Sequence, residues 1–110
     1  MITDEALEKA LDYLRDTADS TAQRRADRLY MEDYSRVLRA TIMAEHLSEP
    51  VNAQERYAHS DLRYKNHLEA LKIAIFEDEK ARYLREAAAV KIEVWRSQCA
   101  NQRALEKGLS

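Results

Sequence analysis

From about Asp61 to Arg103 the chain runs some forty residues without a glycine or a proline. Those two residues are the usual punctuation of helices and turns, so their absence over this length makes one continuous helix the simplest outcome. Within it Ala81, Leu84, Ala88, Ile92, Trp95 and Cys99 recur at steps of three, four, four, three and four. That is the apolar stripe of an amphipathic helix. At 1.5 Å per residue the helix would run roughly 60 Å, longer than a small domain is wide. Such a helix cannot bury its stripe alone, so the rest of the chain, or another copy of it, has to cover Leu84, Ala88, Ile92, Trp95 and Cys99.

The N-terminal half has a matching pattern. Thr3 is a good helix N-cap, Asp4 and Glu5 suit the positive helix end, and Ile2 can staple to Leu7. Leu7, Leu11, Leu14, Ala18, Ala22, Ala26 and Leu29 cover twenty-two residues in six steps, about 3.67 per step, which implies a nearly straight or slightly right-handed seam. The alanines would let a partner helix approach closely. Thr17, Ser20 and Thr21 form a weaker stretch where the helix could kink or break. The pattern continues through Tyr30, Tyr34, Val37, Leu38 and Ile42 to about Leu47, and Ser48-Glu49-Pro50 ends it. Asn52 is placed to cap a short helical turn over Ala53–His59, Ser60 or Asp61 to start the long helix, and Gly108 to mark its end. The expectation is an all-α fold of one domain. It is a long antiparallel hairpin with a helix over about 4–47, a connector over 48–60 and a helix over about 61–105.

Composition bears on assembly. Only one Gly and one Pro occur in 110 residues, and six of the eight aromatics are tyrosine, so large apolar core residues are scarce. A monomeric core would be thin, and association through the helix stripes is the economical remedy. The net charge of −2 and pI of about 5.9 argue mildly against a dedicated nucleic-acid binder. The distribution is less uniform. Residues 1–20 are acidic, whereas residues 21–40 carry Arg24, Arg25, Arg28, Arg36 and Arg39 against three acids. Arginine outnumbers lysine twelve to six, which favours bidentate contacts to carboxylate or phosphate. Cys99 has no cysteine partner and reads as a small buried hydrophobe. With acids by position 4 and no apolar run approaching the ~20 residues that span a bilayer, a soluble, intracellular protein is expected.

Few chemistries fit these residues. His46, His59 and His67 form no Glu-x-x-His pair and have no second cysteine to complete a zinc set, so no metal site is expected. One glycine cannot build a phosphate loop or a nucleophile elbow, so neither an enzyme nor a cofactor is expected. Binding remains. The five arginines with Tyr30 and Tyr34 interleaved could track and stack on single-stranded nucleic acid. The bland alternative is a solvated face on which Glu32 and Asp33 pair with the arginines at helical spacing.

Three stretches carry a resemblance: Ala53-Gln54-Glu55-Arg56-Tyr57-Ala58-His59, Lys91-Ile92-Glu93-Val94-Trp95-Arg96 and Ala100-Asn101-Gln102-Arg103. Together they resemble a family of small helical proteins encoded by tailed bacteriophages, over about Leu14 to Arg103. That family is in turn distantly similar to the UvsY-type recombination mediators of T-even phages. Those are helical, assemble into rings, bind single-stranded DNA and help load a recombinase onto DNA coated by single-strand-binding protein. The resemblance implies a non-enzymatic recombination mediator acting as a homo-oligomer in the cytoplasm of an infected bacterium. Its partners would be single-stranded DNA, a phage recombinase and single-strand-binding protein, with no membrane involved. Under it Arg24, Arg25, Arg28, Arg36 and Arg39 would contact phosphates, and Tyr30 or Tyr34 would stack on bases. Arg56, Tyr57 and His59 would touch DNA or lock the connector. The competing expectation is a helical protein-interaction module, such as a phage assembly factor or an inhibitor of a host protein, that does not bind DNA.

Overall fold

A computed structural model describes residues 1–109. The chain is all-α, with no strand among the described residues. Its elements are α1 (Asp4–Asp16), α2 (Ala18–Ala44), α3 (Val51–Ser60) and α4 (Leu62–Leu109). Long helices joined through a short connector helix fit the expected hairpin. The segments group into two compact units, Met1–Thr21 with Lys80–Ser110, and Ala22–Glu79.

In the first unit Thr3 caps α1, its side chain accepting from the Ala6 N–H at 3.0 Å. Ile2 donates its backbone N–H to Gln98 Oε1 at 3.0 Å, and Trp95 Nε1 donates to Asp4 Oδ1 at 3.1 Å. Farther along, Arg85 reaches Leu14 and Thr17. Rising numbers on α1 meet falling numbers on α4, so the two segments are antiparallel. Ala10, Ala81 and Ala88 are buried between them, and the small side chains let the backbones approach.

The expected first helix is two helices. At Thr17 the backbone leaves helical geometry (φ −101°, ψ 3°), and the Thr17 hydroxyl donates to the Tyr13 carbonyl at 2.6 Å. A threonine that bonds back into its own turn competes with the helix ladder. The Arg85 Nη1 then donates to the freed Leu14 carbonyl and to Thr17 Oγ1, both at 2.8 Å. Arg85 thereby satisfies an acceptor that a helix end leaves open.

In the second unit the core is Leu38, Ile42 and Ala58, with Met43 and Tyr64 packed against it. α2 ends at Ala44, three residues before the expected Leu47, in successive turns closed by Glu45 N–H to the Ile42 carbonyl and His46 N–H to the Met43 carbonyl. α3 begins at Val51, behind Pro50, and not at an Asn52 cap; the Asn52 side chain accepts only from the adjacent Ala53 N–H. Buried Gln54 instead ties the turn, donating Nε2 to the Glu49 carbonyl at 2.8 Å. Asp61 starts α4, its Oδ1 accepting from the Arg63 N–H at 2.8 Å. Gly108 has no positive φ, and α4 runs through it to Leu109 where an end near 105 was expected.

Candidate nucleic-acid interface

The ten residues expected to meet DNA all lie in the second unit, where they separate into groups with different surroundings. At about 100° per residue the five arginines fall within roughly 120° of arc on α2, and their partners, not their positions, set them apart.

Arg28 is the most constrained of them. Its Nε donates to Glu32 at 3.0 Å, and Nη1 donates to Asp78 at 3.0 Å and Glu79 at 2.9 Å. Asp78 is buried, so this guanidinium is the counter-charge that lets a carboxylate sit inside the unit. The hydrogen bonds that Arg28 donates to Glu32, then to Glu79 and Asp78, push its pKa up. Three acids around one arginine leave a negative cluster, which phosphate would avoid. Arg39 pairs with Glu55 of α3 at 3.1 Å, and its Nε is buried without a partner. Both arginines therefore serve packing. Arg36 is exposed and pairs with Asp33 at 3.2 Å, an ordinary surface contact of little strength.

Arg24 and Arg25 are different. Both are exposed, and neither has an ion-pair partner among the described residues. Arg24, Asp27, Tyr30 and Met31 of α2 line one groove with Ala70, Ile73, Ala74 and Glu77 of α4. Tyr30, 69% exposed, stacks on Tyr34, 39% exposed, with ring centroids 6.2 Å apart and planes 14° from parallel. Tyr34 in turn meets the edge of His67 at 5.4 Å. The His67 Nε2 lies 2.9 Å from the Met31 carbonyl and 2.8 Å from Ser35 Oγ. That pins the imidazole between α2 and α4 and gives the tyrosine pair a fixed support.

The connector residues form a second group. Arg56 is exposed, has no ion-pair partner among the described residues, and lines a small groove with Glu49, Ala53, Tyr57 and Ser60. Tyr57 stacks flat on His46, centroids 4.0 Å apart and planes 5° from parallel, while His59 leans on Tyr64 at 5.5 Å. These rings lock the turn, and Tyr57 still exposes nearly half its surface. Among the described residues no group of three or more His, Cys, Asp or Glu side chains is arranged to hold a metal ion.

Sequence reasoning missed Arg63 and Arg85. Arg63 Nη2 donates to both oxygens of Glu45 at 2.7 and 2.8 Å and to Asp61 Oδ2 at 2.9 Å, closing the connector. Side-chain hydrogen bonds from Arg63 hold the pKa of both Glu45 and Asp61 below the usual carboxylate range. Of the expected core or interface residues, all in the first unit, Ala88 is buried and Ile92, Trp95 and Cys99 are half-buried. Leu84 is 48% exposed and lines a groove with Ala6, Ala10 and Tyr13 at the edge of the seam, while Arg85 on its other side reaches into α1. No described helix is long and apolar enough to cross a membrane. Compared with protein-family models, curated proteins and solved structures, the chain matches none.

Proposed function

We propose that this protein is a non-enzymatic accessory of phage recombination that binds single-stranded DNA as an oligomer and assists recombinase loading in the cytoplasm of the infected bacterium. The observation that carries the reading is the exposed Tyr30–Tyr34 stack beside Arg24, an arginine with no acid partner of its own. Stacked, rigidly backed aromatic faces accept successive bases of any sequence, and unpaired arginines supply phosphate contacts. Arg25, on the opposite side of α2 from Tyr34, and Arg56, on the connector groove, stand outside this groove, and Arg28 and Arg39 are held by their carboxylates. Asp27 and Glu77 on the same groove limit what one copy binds, so several copies acting together suit the reading best.

The test is titration of a fluorescent single-stranded oligonucleotide against the wild type and the Tyr30→Ala/Tyr34→Ala double variant at low salt. Binding by the first and a marked loss in the second support the reading. Equal binding by both overturns the tyrosine site.

One set of observations favours a protein-interaction module instead. In the second unit Val37, Ile73 and Phe76 are each more than half exposed, apolar side chains open to another protein. Absence of any salt-sensitive DNA binding would select this second reading.

A further inference from the structure

On the first unit's segment of α4, an exposed stripe outside the buried seam with α1 carries a regular pattern. Tyr83, Val90 and Val94 are 59%, 59% and 39% exposed, and Ala87 between them is exposed too. With Lys80 before and Ser97 after, these positions step by three, four, three, four and three. That is the a/d spacing of a heptad repeat, with Lys80, Ala87 and Val94 at a and Tyr83, Val90 and Ser97 at d. The seam toward α1, from Ala81 through Arg85 and Ala88 to Trp95, lies about 140° around the helix. Arg82 lies 5.0 Å over the Tyr83 ring, and Ala87 at the stripe's edge also lines a groove with Ala6, Ala10 and Tyr13 of α1; beyond these contacts the stripe is a second, exposed apolar face. Scattered surface hydrophobes need no explanation, but a run in heptad register does.

The flanking charges identify the occupant. In this register Glu86 is at g and Lys91 at e of the next heptad, five residues on. Both are exposed, and neither has an ion-pair partner among the described residues. In a parallel, in-register pair of helices each g residue meets the e residue of the following heptad on its partner. Two copies would thus form two symmetric Glu86–Lys91 pairs. An antiparallel pair would bring the g row, with Glu86 and Glu93, against itself, where like charges repel. Leu84, at e, adds apolar cover at the edge of the stripe.

We infer that the Tyr83–Val90–Val94 face of α4 binds the same face of a second copy of this chain, parallel and in register, through a short coiled coil. The inference is independent of DNA binding, and its test contains no nucleic acid.

The experiment places one cysteine at a time in the full chain with Cys99→Ala. Val90→Cys is at a d position, where a parallel in-register pair brings the two thiols together. Ala89→Cys is also on an exposed position but off the stripe. Mild oxidation should convert most of the first variant to a disulfide-linked dimer and little of the second. In sedimentation, Glu86→Lys should weaken self-association about fivefold, and adding Lys91→Glu should restore it. A chain that remains monomeric at its highest soluble concentration overturns the proposal and leaves the stripe to a different protein. Equal crosslinking at positions 89 and 90, or no rescue by the double charge exchange, overturns the parallel register. Circular dichroism of each variant separates these outcomes from loss of helix.

Discussion

Arg28 Nη1 stands 3.0 Å from Asp78 Oδ2, across fifty residues of sequence, and Asp78 is only 7% exposed. The contact makes Arg28 a structural residue, the counter-ion of a buried carboxylate. Arg28→Met should lower the melting temperature by several degrees, because an unpaired buried charge costs more than the pair contributes. Its single-stranded DNA affinity should stay near wild type. A variant with normal melting and lost binding would return Arg28 to the DNA site.

Arg24 should behave in the opposite way. Replacing it by Ala should leave the melting curve unchanged and reduce the slope of log affinity against log salt by about 0.7, the value for one phosphate contact on a single strand. A slope equal to wild type would remove Arg24 from the interface.

Arg85→Ala should destabilise the first unit by roughly 1–3 kcal/mol, since the Leu14 carbonyl loses its donor. Arg85→Met keeps most of the aliphatic stem, so it separates lost hydrogen bonding from lost packing. Chemical denaturation of the three proteins measures both. If Arg85→Met matches wild type, the cap contributes nothing.

Glu45 and Asp61 hold depressed pKa values because Arg63 donates to each. Between the folded and the ordinary carboxylate values the unfolded chain binds more protons, so stability rises with pH there. The contribution is therefore complete above the ordinary carboxylate pKa of about 4 and is lost as pH falls through the lower folded values. The raised Arg63 pKa lies far above this window and plays no part in it. Arg63→Ala should flatten the acid side of a melting-temperature profile between pH 6 and the acid limit relative to wild type. Parallel profiles would show that the clamp does not set acid stability.

Much of the fold was legible in local chemistry. Thr3 capping α1, Asp61 opening α4 and the weak point at Thr17 are decided within a few residues of themselves. The long helix follows from the missing glycine and proline. The choice between Leu84 and Arg85 was not legible: an apolar stripe selects leucine by hydrophobicity, yet the seam takes Arg85 because a carbonyl and a hydroxyl wait for its guanidinium. The candidate site was legible only in part. Tyr30 and Tyr34 are one turn apart in sequence, and their stack follows from that spacing. Which arginines are neutralised depends on Glu55, Asp78 and Glu79, whose approach is set by the hairpin and not by any nearby motif.

The central claim, that this chain binds single-stranded DNA as an oligomer, is tested most directly by titrating a fluorescent single-stranded oligonucleotide across a salt series with mass measured on the same sample. The expected result is an oligomer whose affinity falls steeply as salt rises. An oligomer that ignores the oligonucleotide even at low salt would contradict it and make the protein-interaction module the function to pursue.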